Sequence, residues 1–169
     1  MPPDHSDSNF GMTKEALLDL IAIAPGNTHR IRGERAPAEA AVLYHEEIEE
    51  AFDLAQSVPG TMPQFDVIHL GMGPDAHTAS LFPREELIGN RNGLAECVYA
   101  ASKDSWRVTL LPGVLLAAAD TVFLVTGEDK AAALREVVDG PYDPRQRPGQ
   151  LIAREADPVH CFLDKVALP

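Results

Sequence analysis

The stretch from Phe65 to Pro83 constrains the fold of this chain more than any other segment. It begins with a short apolar run over 66–71, which is typical of a strand covered on both faces of a sheet. Gly71 and Gly73 then predict a tight turn directly after the strand. Because ligands bind at the carboxyl ends of strands in open α/β sheets, this turn is a candidate functional site.

The predicted turn carries an aspartate and a histidine two residues apart, Asp75 and His77. A carboxylate at this spacing can orient the imidazole and raise its basicity, and an imidazole titrates near neutral pH. The pair therefore predicts a general acid/base site. The plain alternative is a Gly-rich connection in which the Asp and the His are merely solvated.

The same turn also matches a dinucleotide-binding pattern, because Gly71, Gly73 and Ala76 fit G-x-G-x-x-G/A. Pro74 argues against this interpretation, since it removes an N–H that a pyrophosphate would need. Pro83 would also cut short the long helix that the pattern requires. The sequence therefore favours the acid/base interpretation over dinucleotide binding.

Four segments, in order along the chain, resemble 6-phosphogluconolactonases of the glucosamine-6-phosphate isomerase/6-phosphogluconolactonase family. LGMGPDAHTASLFP resembles the family's signature, in which glycine stands at the position of Ala76. The others are PPDHSDSNFGMTKEALLD, RVTLLPGVLLAAADTVFLVTGEDKAAALREVV and HCFLDKVA. The resemblance implies hydrolysis of 6-phospho-D-glucono-1,5-lactone to 6-phosphogluconate in the oxidative pentose phosphate pathway.

The resemblance also implies roles for residues of the predicted turn. His77 would be the general acid/base, and Asp75 would orient it. Gly73, Thr78 and Ser80 would contact the substrate, although the two hydroxyl groups could instead cap the turn. The turn contains no Gly-x-Ser-x-Gly pattern, so a serine nucleophile is not expected.

Two basic residues outside the turn would contact the phosphate or the sugar acid, according to the same resemblance. They are Arg107, which opens a predicted strand, and Lys130, which lies at the start of a predicted helix. Each could instead be an ordinary solvated charge. The implied hydrolysis needs no metal and no cofactor, and the sequence shows no cluster with metal-ligand spacing.

Glucosamine-6-phosphate deaminases carry a similar Asp-Gly-His turn, which makes a deaminase-like isomerase an alternative function. In those proteins the turn usually continues into Ile-Ala-Phe-Asn-Glu-Pro, whose glutamate assists ring opening. Here the continuation over 78–83 is Thr-Ala-Ser-Leu-Phe-Pro, which has no counterpart of that glutamate. The sequence therefore favours the lactonase.

The chain departs from the family pattern at two places. Ala76 would be strained by about 1 kcal/mol if the turn requires a positive φ there. The family's N-terminal portion, with a Gly-Gly-Ser-Thr phosphate loop and a strand ending in Asp-Glu-Arg, does not occur in residues 1–169. Either a fragment of a lactonase or a truncated, non-catalytic sugar-phosphate-binding paralogue is expected. Missing strands would leave the strand at 66–71 with an exposed edge, which invites self-association.

Composition bounds the class of protein. A length of 169 residues predicts a single domain over 1–169, and the net charge of -12 argues against nucleic-acid binding. An anionic sugar phosphate would then need a local basic cluster. No apolar run approaches a membrane span, and the only two cysteines, Cys97 and Cys161, are expected as free thiols in the cytoplasm.

Strands that alternate with helices predict an α/β fold with an open, mostly parallel sheet flanked by helices, of modified Rossmann-like type, without the family's N-terminal strands. His69, inside the first strand, is expected to be a core histidine. Helices are predicted over 10–20, 38–56, 111–118 and 129–138, and strands over 66–71, 97–101, 107–111, 121–126, 151–153 and 159–163.

Overall fold

The computed structural model of the protein describes residues 1–168 and contains two separate sheets. The strands are β1 (Val67–Leu70), β2 (Ala95–Ala100), β3 (Ser105–Leu110), β4 (Asp120–Val125) and β5 (Val159–Leu163). A parallel sheet has the order β1-β4-β5, and β2 pairs with β3 in an antiparallel hairpin. The predicted α/β fold with a largely parallel sheet is therefore confirmed.

Five α-helices accompany these strands within residues 1–168, two of them before β1 and three between later strands. They are α1 (Asn9–Thr13), α2 (Pro37–Ala51), α3 (Pro112–Leu116), α4 (Ala131–Val138) and α5 (Gly149–Glu155). A π-helical turn continues α1, and 3-10 turns follow α2 and precede α4. Proline stands in the first turn of α2 and α3, where its missing N–H interrupts no helical hydrogen bond.

Two large apolar clusters hold these elements together. The larger lies between one face of the parallel sheet and α3, α4 and α5, and a smaller one lies between α2, the hairpin and α3. Burial of this apolar surface is the main force that stabilises the fold. The larger cluster includes Ile68, Leu70, Leu115, Phe123, Val125, Leu134, Val137, Leu151 and Ile152.

The strand β1 is not buried on both faces, which corrects the prediction made from its apolar sequence. Its side chains alternate, so that Ile68 and Leu70 enter the core while Val67 and His69 face outward. His69 is exposed, so the expectation of a core histidine is wrong as well. Because successive side chains of a strand point to opposite faces of the sheet, an apolar residue such as Val67 can lie on the uncovered face.

The outward side of β1 belongs to a wider uncovered face of the parallel sheet. The register of β1, β4 and β5 places Leu124 and Phe162 on this face with Val67. The three residues are 52%, 60% and 47% exposed, respectively. Among residues 1–168, α3, α4 and α5 pack on the opposite face only, and β1 is a terminal strand with one unpaired edge.

The segment predicted as a strand over 151–153 is helical and forms part of α5, so that prediction is wrong. A short apolar run does not by itself distinguish a buried strand from a buried helix. Leu151 and Ile152 are consecutive in the sequence and both are buried against the core. Their burial therefore does not alternate as it would along a strand with one covered face. The other predicted helices and strands are confirmed, with ends that differ by a few residues.

Candidate active site

The carboxyl end of β1 leads into a closed turn over residues 71–80, called the Gly71–Ser80 turn below. The N–H of Gly73 donates to the carbonyl of His77 at 2.9 Å, and the N–H of Ala76 donates to the carbonyl of Gly73 at 2.9 Å. The Thr78 hydroxyl donates to the carbonyl of Gly71 at 2.8 Å. These bonds fix the backbone of the turn at the sheet edge where ligands bind in open α/β folds.

The structure brings Asp75 and His77 together within this turn. Oδ1 of Asp75 lies 2.5 Å from Nδ1 of His77 and also accepts from the His77 backbone N–H at 3.2 Å. A carboxylate facing Nδ1 keeps the proton on that nitrogen. Nε2 is therefore the nitrogen of His77 that can accept a proton from a ligand.

Asp75 is held in its ionised form by the same contacts. Partial burial alone would raise the pKa of the Asp75 carboxyl, but the hydrogen bonds from His77 outweigh it and the pKa lies below its ordinary value. The carboxylate is thus charged at neutral pH. It can stabilise the imidazolium that forms when His77 takes up a proton.

Gly73 makes room for the ring of His77. A Cβ atom at this position would lie 2.1 Å from Nδ1 of His77 and 2.6 Å from Oδ1 of Asp75. Its N–H donates to the His77 carbonyl, and the contact of Gly73 with substrate stays a prediction. Only glycine allows the pair to adopt this geometry.

Two alanines flank His77 and Thr78 in left-handed backbone conformations. Ala76 has a φ of 63° and Ala79 a φ of 50°, so the positive φ considered for Ala76 is present. Each costs about 1–2 kcal/mol in a residue with a Cβ. The Ala76 carbonyl accepts from the N–H of Gly149 at 2.8 Å, a bond that helps to hold the strained turn against α5.

Phe82 joins the His77 ring to the hairpin. The two rings lie 4.6 Å apart between centroids with an interplanar angle of 40°. Phe82 is buried and packs against Val98 and Ala100 of β2. The imidazole therefore has an apolar wall on the side of the hairpin, which limits its rotation.

Arg107 lies on the face of the hairpin that meets the Gly71–Ser80 turn. It is the register partner of Val98, and residues paired across two strands share a face. It lies two residues before Thr109, whose Oγ1 accepts from the Ser80 N–H at 3.1 Å. The Cα atoms of Arg107 and Thr109 are therefore only about 7 Å apart along β3. Arg107 has no acidic partner within 4.0 Å among residues 1–168.

The two predicted hydroxyl ligands differ in their surroundings. Thr78 is fully buried and its hydroxyl is used by Gly71, which favours the alternative that it closes the turn. Ser80 is half-buried at the end of the turn, next to β3. Ser80 is therefore the better placed of the two for a ligand, and its contact with substrate stays a prediction.

Lys130 follows β4, whose carboxyl end lies beside that of β1 in the parallel sheet. Its Nζ forms a close ion pair with Asp129 in the first turn before α4. The preceding Gly127 has a φ of 99°, and its N–H donates to Asp164 at 3.0 Å. Lys130 thus belongs to the same edge of the sheet as His77, but an anionic ligand would have to compete with Asp129 for it.

A cavity of about 590 Å³ opens beside β3. The N-terminal segment, α2 and β3 line it, with Asn9, Trp106 and Arg107 among the lining residues. His77 and Asp75 do not line it. Arg107 therefore lines the cavity and also lies on the hairpin face that is near His77.

Two kinds of feature are absent from residues 1–168. No group of three or more His, Cys, Asp or Glu side chains there is arranged to hold a metal ion. No helix of this part of the chain combines the length and the apolar character needed to cross a bilayer.

The parallel sheet, the turn at its carboxyl edge and the Asp75–His77 pair define the class: an α/β protein with a candidate acid/base site at the edge of its sheet. Comparison with known proteins then identifies the family. A family model described as glucosamine-6-phosphate isomerases/6-phosphogluconolactonase matches residues 1–161. The chain belongs to this family.

Relatives with similar sequences are named 6-phosphogluconolactonase. The protein from Treponema pallidum (strain Nichols) is 38% identical over 144 residues, which covers 84% of this chain and 57% of that protein. The Homo sapiens protein is 33% identical over 168 residues, which covers 99% of this chain and 63% of that protein. The chain therefore spans about three fifths of the length of these two relatives.

Solved structures show the same fold. The 6-phosphogluconolactonase from Thermotoga maritima aligns with a TM-score of 0.78 and 28% identity, covering 98% of this chain and 68% of that one. A monomeric glucosamine-6-phosphate deaminase aligns with a TM-score of 0.78 at 16% identity, covering 99% of this chain and 69% of that one. The second likeness concerns the fold alone.

Proposed function

We propose that this protein hydrolyses 6-phospho-D-glucono-1,5-lactone to 6-phosphogluconate, in the cytoplasm and in the oxidative pentose phosphate pathway. The observation that carries the proposal is the Asp75–His77 pair, which leaves Nε2 of His77 free to exchange a proton at the carboxyl edge of the sheet. Lactone hydrolysis needs one group that acts first as a base and then as an acid. An imidazole oriented by a carboxylate meets both requirements.

The proposed reaction has two proton transfers through His77. Nε2 takes a proton from a water molecule as its oxygen attacks the lactone carbonyl carbon, and a tetrahedral oxyanion forms. The oxyanion collapses, the bond between that carbon and the ring oxygen breaks, and the imidazolium gives its proton to the leaving ring oxygen. Asp75, which stays ionised, stabilises the imidazolium between the two transfers.

The anionic groups of the substrate need positive charge on a chain whose net charge is -12. Arg107 is the better candidate, because no acidic partner occupies it among the described residues and it shares a hairpin face with the residues that contact Phe82. A guanidinium can bind a phosphate or carboxylate with two parallel hydrogen bonds. Lys130 would contribute a second cation once it releases Asp129.

The lactonase is favoured over the isomerase activity that the family also contains. The segment over 78–83 places Leu81 and Phe82 in the core and offers no carboxylate after His77 that could assist ring opening. The similar relatives also carry the name 6-phosphogluconolactonase. An isomerase would need a second acid/base group that the described turn does not supply.

The test is a lactone-hydrolysis assay on the purified chain, corrected for spontaneous hydrolysis of the substrate. His77→Ala should lower the enzymatic rate by about 10²–10⁴-fold, because it removes the group that moves both protons. His45→Ala is the matched control, since His45 lies on α2 and pairs only with Glu49. A His77→Ala rate within a few-fold of the parent would refute the assignment.

The substrate class that follows from the proposed reaction is a small phosphorylated sugar lactone.

A second proposal concerns association between copies of the chain. We propose that copies associate through the open edge of β1 and the uncovered face of the parallel sheet. An unpaired strand edge offers free backbone N–H and C=O groups, and Val67, Leu124 and Phe162 add exposed apolar surface beside it. Association would cover both.

A further inference from the structure

We propose that Thr109 is a positioning residue that sets the distance between His77 and Arg107. The inference rests on the proposed function, since it assumes that both side chains act on one ligand. His77 is delivered by the parallel sheet and Arg107 by the hairpin, which are separate sheets. A contact between the two sheets must therefore fix their relative position at the site, and the structure assigns that contact to Thr109.

The hydroxyl of Thr109 has a fixed orientation. It donates to the carbonyl of Leu110 at 3.0 Å and accepts from the backbone N–H of Ser80 at 3.1 Å. Thr109 is 3% exposed, so its side chain is shielded from solvent. Loss of the hydroxyl would leave the Ser80 N–H without its partner in a part-buried environment, which is costly.

The bond joins the two halves of the site by a short route. Ser80 lies three residues after His77 in the turn, and Thr109 lies two residues after Arg107 on the same face of β3. A change at the Thr109–Ser80 contact therefore moves His77 and Arg107 relative to each other, while leaving each within its own sheet. Reaction rates fall steeply when reacting groups are misplaced by about 1 Å.

Packing alone does not replace this bond. Phe82 contacts His77 on one side and Val98 and Ala100 on the other, but apolar contacts are not directional. These apolar contacts hold the turn against the hairpin, but they do not fix the position of the turn along the direction of β3. The hydrogen bond of Thr109 to the Ser80 N–H adds that direction, because it weakens steeply as its geometry departs from linear.

The experiment is a double-mutant cycle between Thr109 and Arg107, with Thr109→Ser as the matched control. Thr109→Val keeps the shape and removes the hydroxyl, and it should lower kcat/KM by about tenfold, whereas Thr109→Ser should stay within about twofold of the parent. In the Arg107→Ala background, Thr109→Val should cost less than about twofold, because the residue it positions is gone. Thr109→Ala serves in place of Thr109→Val if the latter does not fold.

Each outcome decides a separate point. An equal loss on Thr109→Val in both backgrounds, or a Thr109→Ser variant as weak as Thr109→Val, would overturn the positioning role while leaving the lactonase in place. A parent chain without activity above the spontaneous rate would overturn the proposed reaction, and calorimetric binding of 6-phosphogluconate to the same four proteins would then measure the coupling. If the parent also failed to bind it, both proposals would fall.

Discussion

The imidazole of His77 lies directly over the backbone of Gly73. The acid/base pair therefore requires a residue without a Cβ atom at position 73. The space that a Cβ would take at residue 73 is filled by Nδ1 and Cε1 of His77. Oδ1 of Asp75, which orients the ring through Nδ1, borders the same space. The geometry of the Asp75–His77 pair therefore depends on close packing, because a Cβ atom at residue 73 would overlap with the His77 ring.

Gly73→Ala should therefore abolish the geometry of the pair without removing either partner. A Cβ at 2.1 Å from Nδ1 forces the ring to move, so we expect the rate of lactone hydrolysis to fall about as far as it does in His77→Ala. Gly71→Ala is the matched control, because the nearest atom to its Cβ, the Leu124 carbonyl oxygen, is 4.0 Å away. Equal activity in the two variants would contradict the role given to Gly73.

Asp75→Asn should lower the free energy of unfolding at neutral pH, by an amount that shrinks in acid. The pKa of Asp75 is lowered in the folded state from its ordinary value of 3.8. Its ionised form thus stabilises the fold fully above that value, and the effect is lost as the pH falls through the lower, folded-state pKa. Urea unfolding of parent and variant near pH 7 and near pH 3 measures the difference, and a gap that widens in acid would be inconsistent with this sign.

The local geometry of the turn could be predicted from the sequence because it depends on neighbours along the chain. Asp75 and His77 are two residues apart, and the left-handed backbone at Ala76 could be anticipated from the family's glycine. Thr109 and Phe82 could not be found in this way. Their roles depend on which strand the turn packs against, and contacts between residues 29 positions apart follow from the tertiary fold.

Helix α5 shows how a single polar side chain can fix the position of an element. Gln150 is fully buried, and its amide donates to the carbonyls of Glu136 at 2.7 Å and Pro141 at 3.0 Å. Its Oε1 accepts from the N–H of Asp143 at 2.7 Å. The helix is therefore tied to the end of α4 and to the loop between them, close to the Gly149 bond that supports Ala76.

Gln150→Leu should lower the free energy of unfolding by about 2–4 kcal/mol, because it leaves three backbone groups without their partner at a buried site. Gln56→Leu is the control, since Gln56 is exposed after α2 and should change the stability by less than about 0.5 kcal/mol. Thermal or urea unfolding followed by circular dichroism gives both values. Similar stability of the two variants would show that the amide contacts are dispensable.

The same element marks a limit of prediction from sequence at this scale. Leu151 and Ile152 form an apolar pair that suits a strand or a helix, and the strand was the wrong choice. The helix is held by contacts with residues distant in the sequence, such as that of Gln150 with the Glu136 carbonyl, and the local sequence does not reveal them. The strand at β4 and the helix α2 could be predicted because their apolar patterns are longer and their bounds are marked by proline or glycine.

The molecule as a whole has an asymmetric sheet, with helices on one face and apolar side chains open on the other among residues 1–168. Parallel sheets are usually covered on both faces. The sequence predicted a largely parallel sheet, but it also predicted that both faces of β1 would be covered, and only one is. Both faces of a four-residue strand such as Val67–Leu70 carry apolar residues, so the pattern alone does not choose.

Phe162→Lys should reduce self-association of the chain, because it places a charge on the uncovered face, at the terminal strand β5. Val138→Lys is the matched control, since Val138 is a similarly exposed apolar residue on α4, away from that face. Light scattering during size-exclusion chromatography over a range of concentrations gives the mass of each variant. A monomeric parent, or equal masses for the two variants, would argue against association through this surface.

Trp106 is the only tryptophan of the chain, and its place on β3 has a practical consequence. It is 54% exposed, stacks edge-on with Tyr99 at 5.5 Å and lies next to Arg107 along the strand. Its emission therefore reports on the hairpin alone, without signal from a second indole. A sugar phosphate held by Arg107 would alter the surroundings of this fluorophore, so that ligand binding can be titrated by intrinsic fluorescence with no added label.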